Sequence, residues 1–484
     1  MLVYAVDVGT TNTKVVLFDE QLRRLAIAST PAIYDRADDR VEFSAERLFC
    51  SVVELIRQCH RDAGTLDLQH AIIALTGQAE SLVLVDHQGH SMGPGLSWLD
   101  DRATDEATEI GEHFGIDAAF AITGEPAPSA TWPAAKLRWL ARHDPARLEA
   151  ASSILMIKDD LIRRFTGTAA AEITTRGFSY FYDVPKRRYW QGMLDLLGVP
   201  ETKLPDVVAA GSDLGTVSSP VADLLPPATS YRVNAGALDH FCAMVGTGSY
   251  RPGVISESAG TVLSLSLLTT DWAFDPGHRV SFHPGIGADD LVLFNGVDCG
   301  GIALEWYRRE ALSGIGYDEL ERLLQRRTST SAPLFLPYLT GVNPPDYFVD
   351  ARGAFLDLDL GHDRIDLAFA VQEGIAHLLR RNVDALASDA IREIVSTGGG
   401  AESAFWSSLK ADVCGVDVVV PEEPEATCRG AAVLALVTAG RLGSIDDGTR
   451  LHRPPIVRHP AHRTAEREGR YRRFEDYLHR LFEA

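Results

Sequence analysis

The chain is poor in cysteine: Cys50, Cys59, Cys242, Cys299, Cys414 and Cys428 are spread over 484 residues with no CxxC pair. That spacing argues against a disulfide framework and a cysteine-built zinc site, and leaves the thiols reduced and mostly buried. Long apolar runs are missing too; none approaches the roughly 18 residues that a membrane span needs. There is no basic surplus. The formal net charge is -21, which disfavours binding the phosphate backbone of nucleic acid. The first residues form a strand pattern with no basic segment leading into an apolar one, so no secretory signal is read and a cytoplasmic protein is expected. What is present, 45% hydrophobic and 23% charged residues, is the balance of an ordinary globular chain long enough for two large α/β lobes, and two lobes imply a cleft.

The stretch that organises the chain is Val6-Asp7-Val8-Gly9-Thr10-Thr11-Asn12-Thr13-Lys14, set between the apolar runs Leu2 to Val6 and Val15 to Phe18. Two strands joined by a Gly-Thr-Thr turn offer backbone N–H groups and hydroxyls to a phosphate, because glycine permits close approach. Asp7 is placed to hold Mg²⁺, directly or through water, and Lys14 to meet phosphate charge, the two needs of a phosphoryl-transfer site. An ordinary β-hairpin is the competing reading of the same residues.

A third strand is expected at Arg24 to Thr30 and an amphipathic helix at Ser44 to Cys59, with Ser44 as its cap. Ala71 to Thr76 reads as a buried strand ending in Thr76-Gly77-Gln78-Ala79-Glu80, followed by a strand at Ser81 to Val85 and a helix at Ala103 to Phe114. Thr131 to Thr166 reads as mostly helical, broken at Pro133 and Pro145 and stopped at Gly167. Val199 to Ser230 is rich in Pro, Gly and Ser and reads as a linker, with the lobe boundary beyond it, between 235 and 236. The second half opens as the first does: Val254 to Leu268 is again strand, Gly260-Thr261 turn, strand, so a duplicated architecture with two loops facing one nucleotide is expected. Ile391 to Val395 is a strand ending in Ser396-Thr397-Gly398-Gly399-Gly400-Ala401. A helix is expected from Ser403 to Val413, with Phe405, Leu409 and Val413 as its buried face. A Gly-rich turn into a helix N-terminus suits a nucleotide, although it also serves as a plain helix entry. Val416 to Val420 is a further strand, and Thr427 to Ala439 a small-residue helix.

Together with Trp98-Leu99-Asp100-Asp101-Arg102, Lys158-Asp159 before Thr166-Gly167, Gly236-Ala237-Leu238-Asp239 and Leu336-Pro337-Tyr338-Leu339, in that order along nearly the whole chain, these motifs resemble the FGGY carbohydrate kinases. The resemblance implies two lobes with duplicated actin/Hsp70/hexokinase-like (ribonuclease H-like) cores around an interlobe cleft, 1–235 and 236–484, with ATP and Mg²⁺ as cofactors. It implies Asp239 as the base that takes the proton of a sugar hydroxyl, a role that the residues alone leave secondary to capping a helix at His240. It implies Asp7 at the metal, Thr10, Thr11 and Lys14 at the first phosphate loop, Gly260 and Thr261 at the second, and Gly399 and Gly400 at adenosine. Gln78, Ala79, Glu80, Trp98, Asp100, Asp239, His240 and Trp132 fall where the sugar pocket is lined in relatives, with core packing as the alternative for the two tryptophans.

The departures from the family pattern are specific. In Gly353-Ala354-Phe355-Leu356-Asp357 the aspartate replaces a glycine, and Gln372 replaces an apolar residue. Xylulokinases usually carry an Arg where Asn343 stands and Met-His where Ala79-Glu80 stand; glycerol kinases carry Arg-Glu there. The expected substrate is a small neutral sugar, xylulose-like pentuloses first. Another ketose or a polyol such as glycerol or erythritol is the alternative, and an actin- or Hsp70-like ATPase switch the alternative of another class. The partners implied are a small-molecule sugar or polyol, no nucleic acid and no membrane, with a homodimer left open.

Overall fold

Leu2–Val8 (β1) is buried along almost its whole length, and alternation gives its two faces different neighbours. Leu2, Tyr4, Val6 and Val8 pack with the helix Ala45–Asp62 (α1), while Val3 and Ala5 join a cluster built on two helices from later in the chain, Asp239–Thr247 (α2) and Ala426–Thr438 (α5). Asp7 follows the phase of Val3 and Ala5 and so belongs to the face between the lobes. The partner strand Asn12–Asp19 (β2) repeats the division, Val15 and Leu17 toward α1, Val16 and Phe18 toward α2 and α5. The α1 helix starts as its sequence predicts, Ser44 accepting a hydrogen bond from the Arg47 N–H at 3.2 Å.

With Arg24–Pro31 (β3), His70–Gly77 (β4), Asp213–Thr216 (β5) and Ser230–Asn234 (β6), the first sheet runs in the order β5-β6-β4-β1-β2-β3. The second is built from Val254–Ala259 (β7), Leu263–Thr269 (β8), Ser281–Pro284 (β9), Leu291–Val297 (β10), Glu393–Thr397 (β11), Asp417–Pro421 (β12) and Ile456–His459 (β13). Its order is β13-β12-β11-β7-β8-β10-β9. Strand for strand, the sequence antiparallel, parallel, parallel, antiparallel, antiparallel is the same in both sheets, with β9 added at the second edge. The duplication seen in the two Gly-Thr turns therefore extends to whole sheets. The far face of the second sheet is covered by Arg364–Leu386 (α3) and Ala404–Cys414 (α4).

The computed structural model describes residues 1–64, 69–271, 279–327, 331–341, 344–348, 350–386, 391–451 and 455–482; Asn343 lies outside them. Several expectations are corrected. Pro133 and Pro145 do not break helices but begin them, at Pro133–His143 and Pro145–Ala150, because proline's missing N–H costs nothing in a first turn. Between there and Gly167 lies a strand, Ser153–Met156, that pairs with Leu82–Val85. The 199–230 stretch is no linker: it contributes β5 to the first sheet. A 3₁₀ turn, Gly399–Glu402, separates β11 from α4, and the buried face of α4 centres on Trp406, Leu409 and Val413, with Phe405 only half-buried. Asp357 has φ 60°, the left-handed conformation that its family glycine would take and that aspartate tolerates, and its carboxylate accepts from the Tyr477 hydroxyl at 2.6 Å. Among the described residues no helix is long and apolar enough to cross a membrane.

Candidate functional site

The tip of the first hairpin is a tight turn, the Gly9 N–H donating to the Asn12 carbonyl at 3.1 Å. Asp7 and Gly9 from this hairpin meet Asp239 and His240 from α2, and Thr397, Gly398 and Gly399 from the end of β11, around a cleft of about 840 Å³. Ser256, Ser258, Ser264 and Ser266 line its other wall. Strand alternation explains them: Ile255 and Ala259 of β7 and Leu263, Leu265 and Leu267 of β8 go to the core, which leaves the serines on the cleft face.

Asp7 and Asp239 face one another across this cleft. The carboxyl of Asp7 is pushed up to about 7, first by burial and then by the Asp239 charge, with Lys14 pulling the other way. Its Oδ1 is shielded from solvent and has no hydrogen-bond partner among the described residues. A buried carboxylate oxygen without a donor, beside a second carboxylate, is a donor set with a place for a hard divalent cation, so Mg²⁺ fits here. Asp239 is the first residue of α2, and its side chain caps neither of the positions that an N-cap serves. Among the described residues its Oδ1 accepts only from the neighbouring His240 N–H, at 2.7 Å.

A network not visible as such in the sequence holds Asp239 in place. The Leu238 N–H donates to Thr174 Oγ1 at 2.8 Å and the Thr76 hydroxyl to the Ala237 carbonyl at 2.9 Å. Thr174 in turn donates to Glu172, which accepts from the buried Lys158 ammonium at 2.8 Å. Asp159 beside it binds Arg176 and the Met156 N–H. The Lys158-Asp159 pair thus acts through other residues on the loop that carries Asp239.

The remaining candidates divide into those brought to the cleft and those engaged elsewhere. Lys14 donates to Glu425 Oε2 at 2.8 Å, across 411 residues of sequence, so its charge is matched by a carboxylate instead of standing free for phosphate. Burial opposes that charge, but Glu425, together with Cys428 and Asp7, more than offsets it. Thr10 Oγ1 accepts from the Trp98 indole at 2.9 Å, which ties Trp98 to the first loop, while Thr11 is exposed. Gln78 is spent on structure, its amide reaching Tyr34 and accepting from Ser81, and Ala79 is buried in the core between the lobes. Asp100 is fully buried with its oxygens taken by Arg102 and the Val41 N–H, so it presents no free carboxylate. The reason is packing: Arg102 is itself buried and bridges Asp100 to Glu42. Trp132 donates to the Ala127 carbonyl at 3.0 Å and stacks parallel to Tyr180. His240 meets the ring of Phe294 edge-on.

Glu80 is different. It has φ 63°, a strained conformation for glutamate, and its carboxyl is pushed up to about 8 by burial, against the pull of Lys136 and with the push of Asp239. Lys136, fully buried, spends its ammonium on the Ala130 and Thr131 carbonyls at 2.7 and 2.6 Å. Behind Glu80 lies Glu125, raised well above the carboxylate range by burial and by Glu80. Sequence reading missed Lys136, Glu125, Glu172 and Thr174; only the type of Lys136, Glu172 and Thr174, polar residues in helical or strand runs, could have flagged them, and Glu125 lies in the loop after Gly124 with no such signal.

A second cavity, of about 480 Å³, adjoins the cleft at Gly399 and Glu402 and carries Gly260, Thr261 and Gly400 on its rim. Gly398 turns the chain at φ 84°, its α-carbon so close to Ala259 that a Cβ would lie 2.9 Å from that carbonyl. The two cavities together form one track from the Asp7–Asp239 pair, past the glycines, to a pocket with one apolar wall. That is the shape required by a nucleoside triphosphate with its reacting end between the carboxylates.

Residues 2–246 match the profile of the FGGY family of carbohydrate kinases, N-terminal domain, and 257–439 that of its C-terminal domain. The chain is 25% identical over 461 residues to a gluconokinase of Bacillus subtilis (strain 168), covering 91% of this chain and 88% of that one. It is 27% identical over 471 residues to a glycerol kinase of Polaromonas naphthalenivorans (strain CJ2), covering 93% of each. Among solved structures, one described as a xyloylose kinase from Brucella ovis superposes with a TM-score of 0.90 at 26% identity over 99% of both chains.

Proposed function

Because the chain belongs to the FGGY family of carbohydrate kinases and is an ATP-dependent sugar or polyol kinase, we propose that it moves the γ-phosphoryl group of ATP to a hydroxyl of a neutral sugar, a xylulose-like pentulose first, with Asp239 as general base. Membership sets aside the ATPase switch without sugar chemistry. The observation that carries the proposal is the pairing of Asp7 and Asp239 across the cleft, one with an orphaned buried oxygen and the other at the start of α2. Asp239 accepts the hydroxyl proton as the oxygen attacks, and the Thr174 and Thr76 contacts keep the carboxylate at a fixed height in the cleft. Asp7 holds Mg²⁺, which when bound neutralises phosphate charge. Gly9, Thr10, Gly260 and Thr261 receive the phosphates, and Gly399 and Gly400 border the base. This reading divides the chain into 1–235, with the first sheet, and 236–484, with the second.

The preference for a neutral substrate is supported by the surroundings of Glu80. Lys136 is consumed by carbonyls and position 79 is alanine, so an aldonate carboxylate would find no cation. With its carboxyl near 8, Glu80 is protonated at neutral pH and donates as well as accepts a hydrogen bond. Glu80→Ala is expected to lower kcat/KM for the best sugar by roughly two- to tenfold at pH 7, since a hydrogen bond to a neutral carboxyl is worth about 0.5 to 1.5 kcal/mol, while Glu80→Gln keeps most of it. ADP release measured over pentuloses, hexuloses, aldonates and C3 to C5 polyols tests the substrate class. Gluconate outperforming every neutral sugar would overturn the pentulose reading, and sugar-independent ADP release the kinase mechanism.

Asp7→Asn is expected to abolish use of Mg-ATP and, at the same time, to stabilise the nucleotide-free protein. The folded pKa of Asp7 lies above its unfolded value, so folding loses stability as pH rises from about 4 to 7, and the loss is complete above 7. The variant should therefore melt higher than wild type at pH 8 and equally at pH 4. Thermal melts at the two pH values check this; a lower melting temperature at pH 8 would remove Asp7 from the role of an unpaired metal ligand.

A further inference from the structure

We propose that Gln372 reads the base of the nucleotide donor, and that its amide selects adenine over guanine; the inference rests on the kinase function proposed above. The second cavity has an apolar wall of Ile302, Leu304, Leu320 and Trp406 and an acidic one that includes Glu305, Asp318, Glu321 and Glu402, with the two phosphate-loop residues Gly260 and Thr261 beside them. A slot with one apolar wall, ending at the glycines assigned to phosphate, is where the base of a bound nucleotide goes, and its volume of about 480 Å³ is of the size that binds small ligands. Gln372 lines this slot from α3 and is 3% exposed.

Its side-chain oxygen is shielded from solvent and pairs with nothing among the described residues. The neighbouring buried residue makes the contrast: Glu373 is met by Arg467 and Arg470. An unpaired buried polar group is costly, and the family resemblance puts an apolar residue at this position, so the fold itself does not require an amide here. The position is nonetheless held firmly, because the Trp406 indole donates to the Gln372 backbone carbonyl at 3.2 Å, and Trp406 is pinned between Gly400 and the Lys410 ammonium. Turned from this shielded position toward the slot, the amide finds its missing partner in a ligand there. An amide offers one donor and one acceptor side by side, which matches the N6 donor and N7 acceptor of adenine; the same edge of guanine shows two acceptors, N7 and O6, and leaves the amide oxygen facing O6.

Calorimetric binding of ADP and GDP to the full chain, with Mg²⁺ and without sugar, tests this independently of the substrate's identity. Wild type should bind ADP at least tenfold more tightly than GDP. Gln372→Leu, which restores an apolar side chain of similar size, and Gln372→Met should each weaken ADP about tenfold and leave GDP within twofold, erasing the preference while the KM for the sugar stays unchanged. ADP affinity and the ADP to GDP ratio unchanged in both variants would overturn the inference and leave the kinase reading standing. Failure of wild type to bind either nucleotide would overturn both.

Discussion

Asp239→Asn should fold, melt within a degree or two of wild type and still bind ATP, yet lose sugar phosphorylation by several orders of magnitude. The amide occupies the same volume, and its oxygen still accepts from the His240 N–H, the one contact the side chain makes within the protein among the described residues. The loop is held through the backbone, by Thr174 at the Leu238 N–H and Thr76 at the Ala237 carbonyl, and neither contact involves the Asp239 side chain. What disappears is the ability to take a proton, and general-base catalysis contributes about 10² to 10⁴ in rate. Loss of the anion has a second effect that a merely structural role would not produce. Asp239's charge is one of the causes that hold the Asp7 carboxyl near 7, so in Asp239→Asn that carboxyl should titrate lower and the pH at which Mg-nucleotide binding sets in should fall. Turnover within tenfold of wild type would remove Asp239 from the chemistry.

The cleft face of each hairpin was legible because strand alternation is strict. Once Val3 and Ala5 are taken as one face, Asp7 must join them, and Ser256, Ser258, Ser264 and Ser266 fall in phase on strands whose other face is apolar apart from Glu257, which is buried against Lys410. Helix boundaries at Ser44 and Gly167 were legible from capping chemistry, Gly167 taking the left-handed conformation at φ 86°. The two prolines misled because the same residue that breaks a helix interior opens a helix at its first turn, and only the chain's path distinguishes them. The 199–230 stretch was misread because short sheet-edge strands among Pro, Gly and Ser carry no periodicity. Pairings over long separations, Lys14 with Glu425, Arg102 with Glu42 or Asp100 with the Val41 N–H, could not be read at all. They decide which charged residues remain free in the site, and they removed Lys14 and Asp100 from the set of open ligands.

Gly430→Ala should be among the most destabilising single-methyl changes in the chain, whereas the same change at Gly469 should be mildly stabilising. Where α2 and α5 cross, a Cβ at Gly430 would lie 1.8 Å from the Cys242 carbonyl oxygen, and one at Gly246 1.9 Å from that of Ala426. Each helix thus approaches the other's backbone through a glycine, and neither backbone can yield locally because each carbonyl belongs to a helix. The helices must separate, and overpacking of this kind costs about 1 to 3 kcal/mol or more. Separation also carries function, since α2 begins at Asp239 and α5 follows Glu425, the partner of Lys14. The variant should lose activity at temperatures where it is still folded, with kcat falling more than the KM for sugar, because the two carboxylates are no longer held at their working distance. Gly469 lies exposed in the helix Ala465–Phe482, where an added methyl group would meet nothing within 4 Å among the described residues, so alanine there gains about 0.5 to 1 kcal/mol from the smaller entropy of the unfolded chain. Thermal melts of the pair, read beside steady-state kinetics, separate the two effects. A Gly430→Ala protein as stable and active as wild type would show that the α2–α5 crossing has slack, and that the distance between Asp7 and Asp239 is set elsewhere.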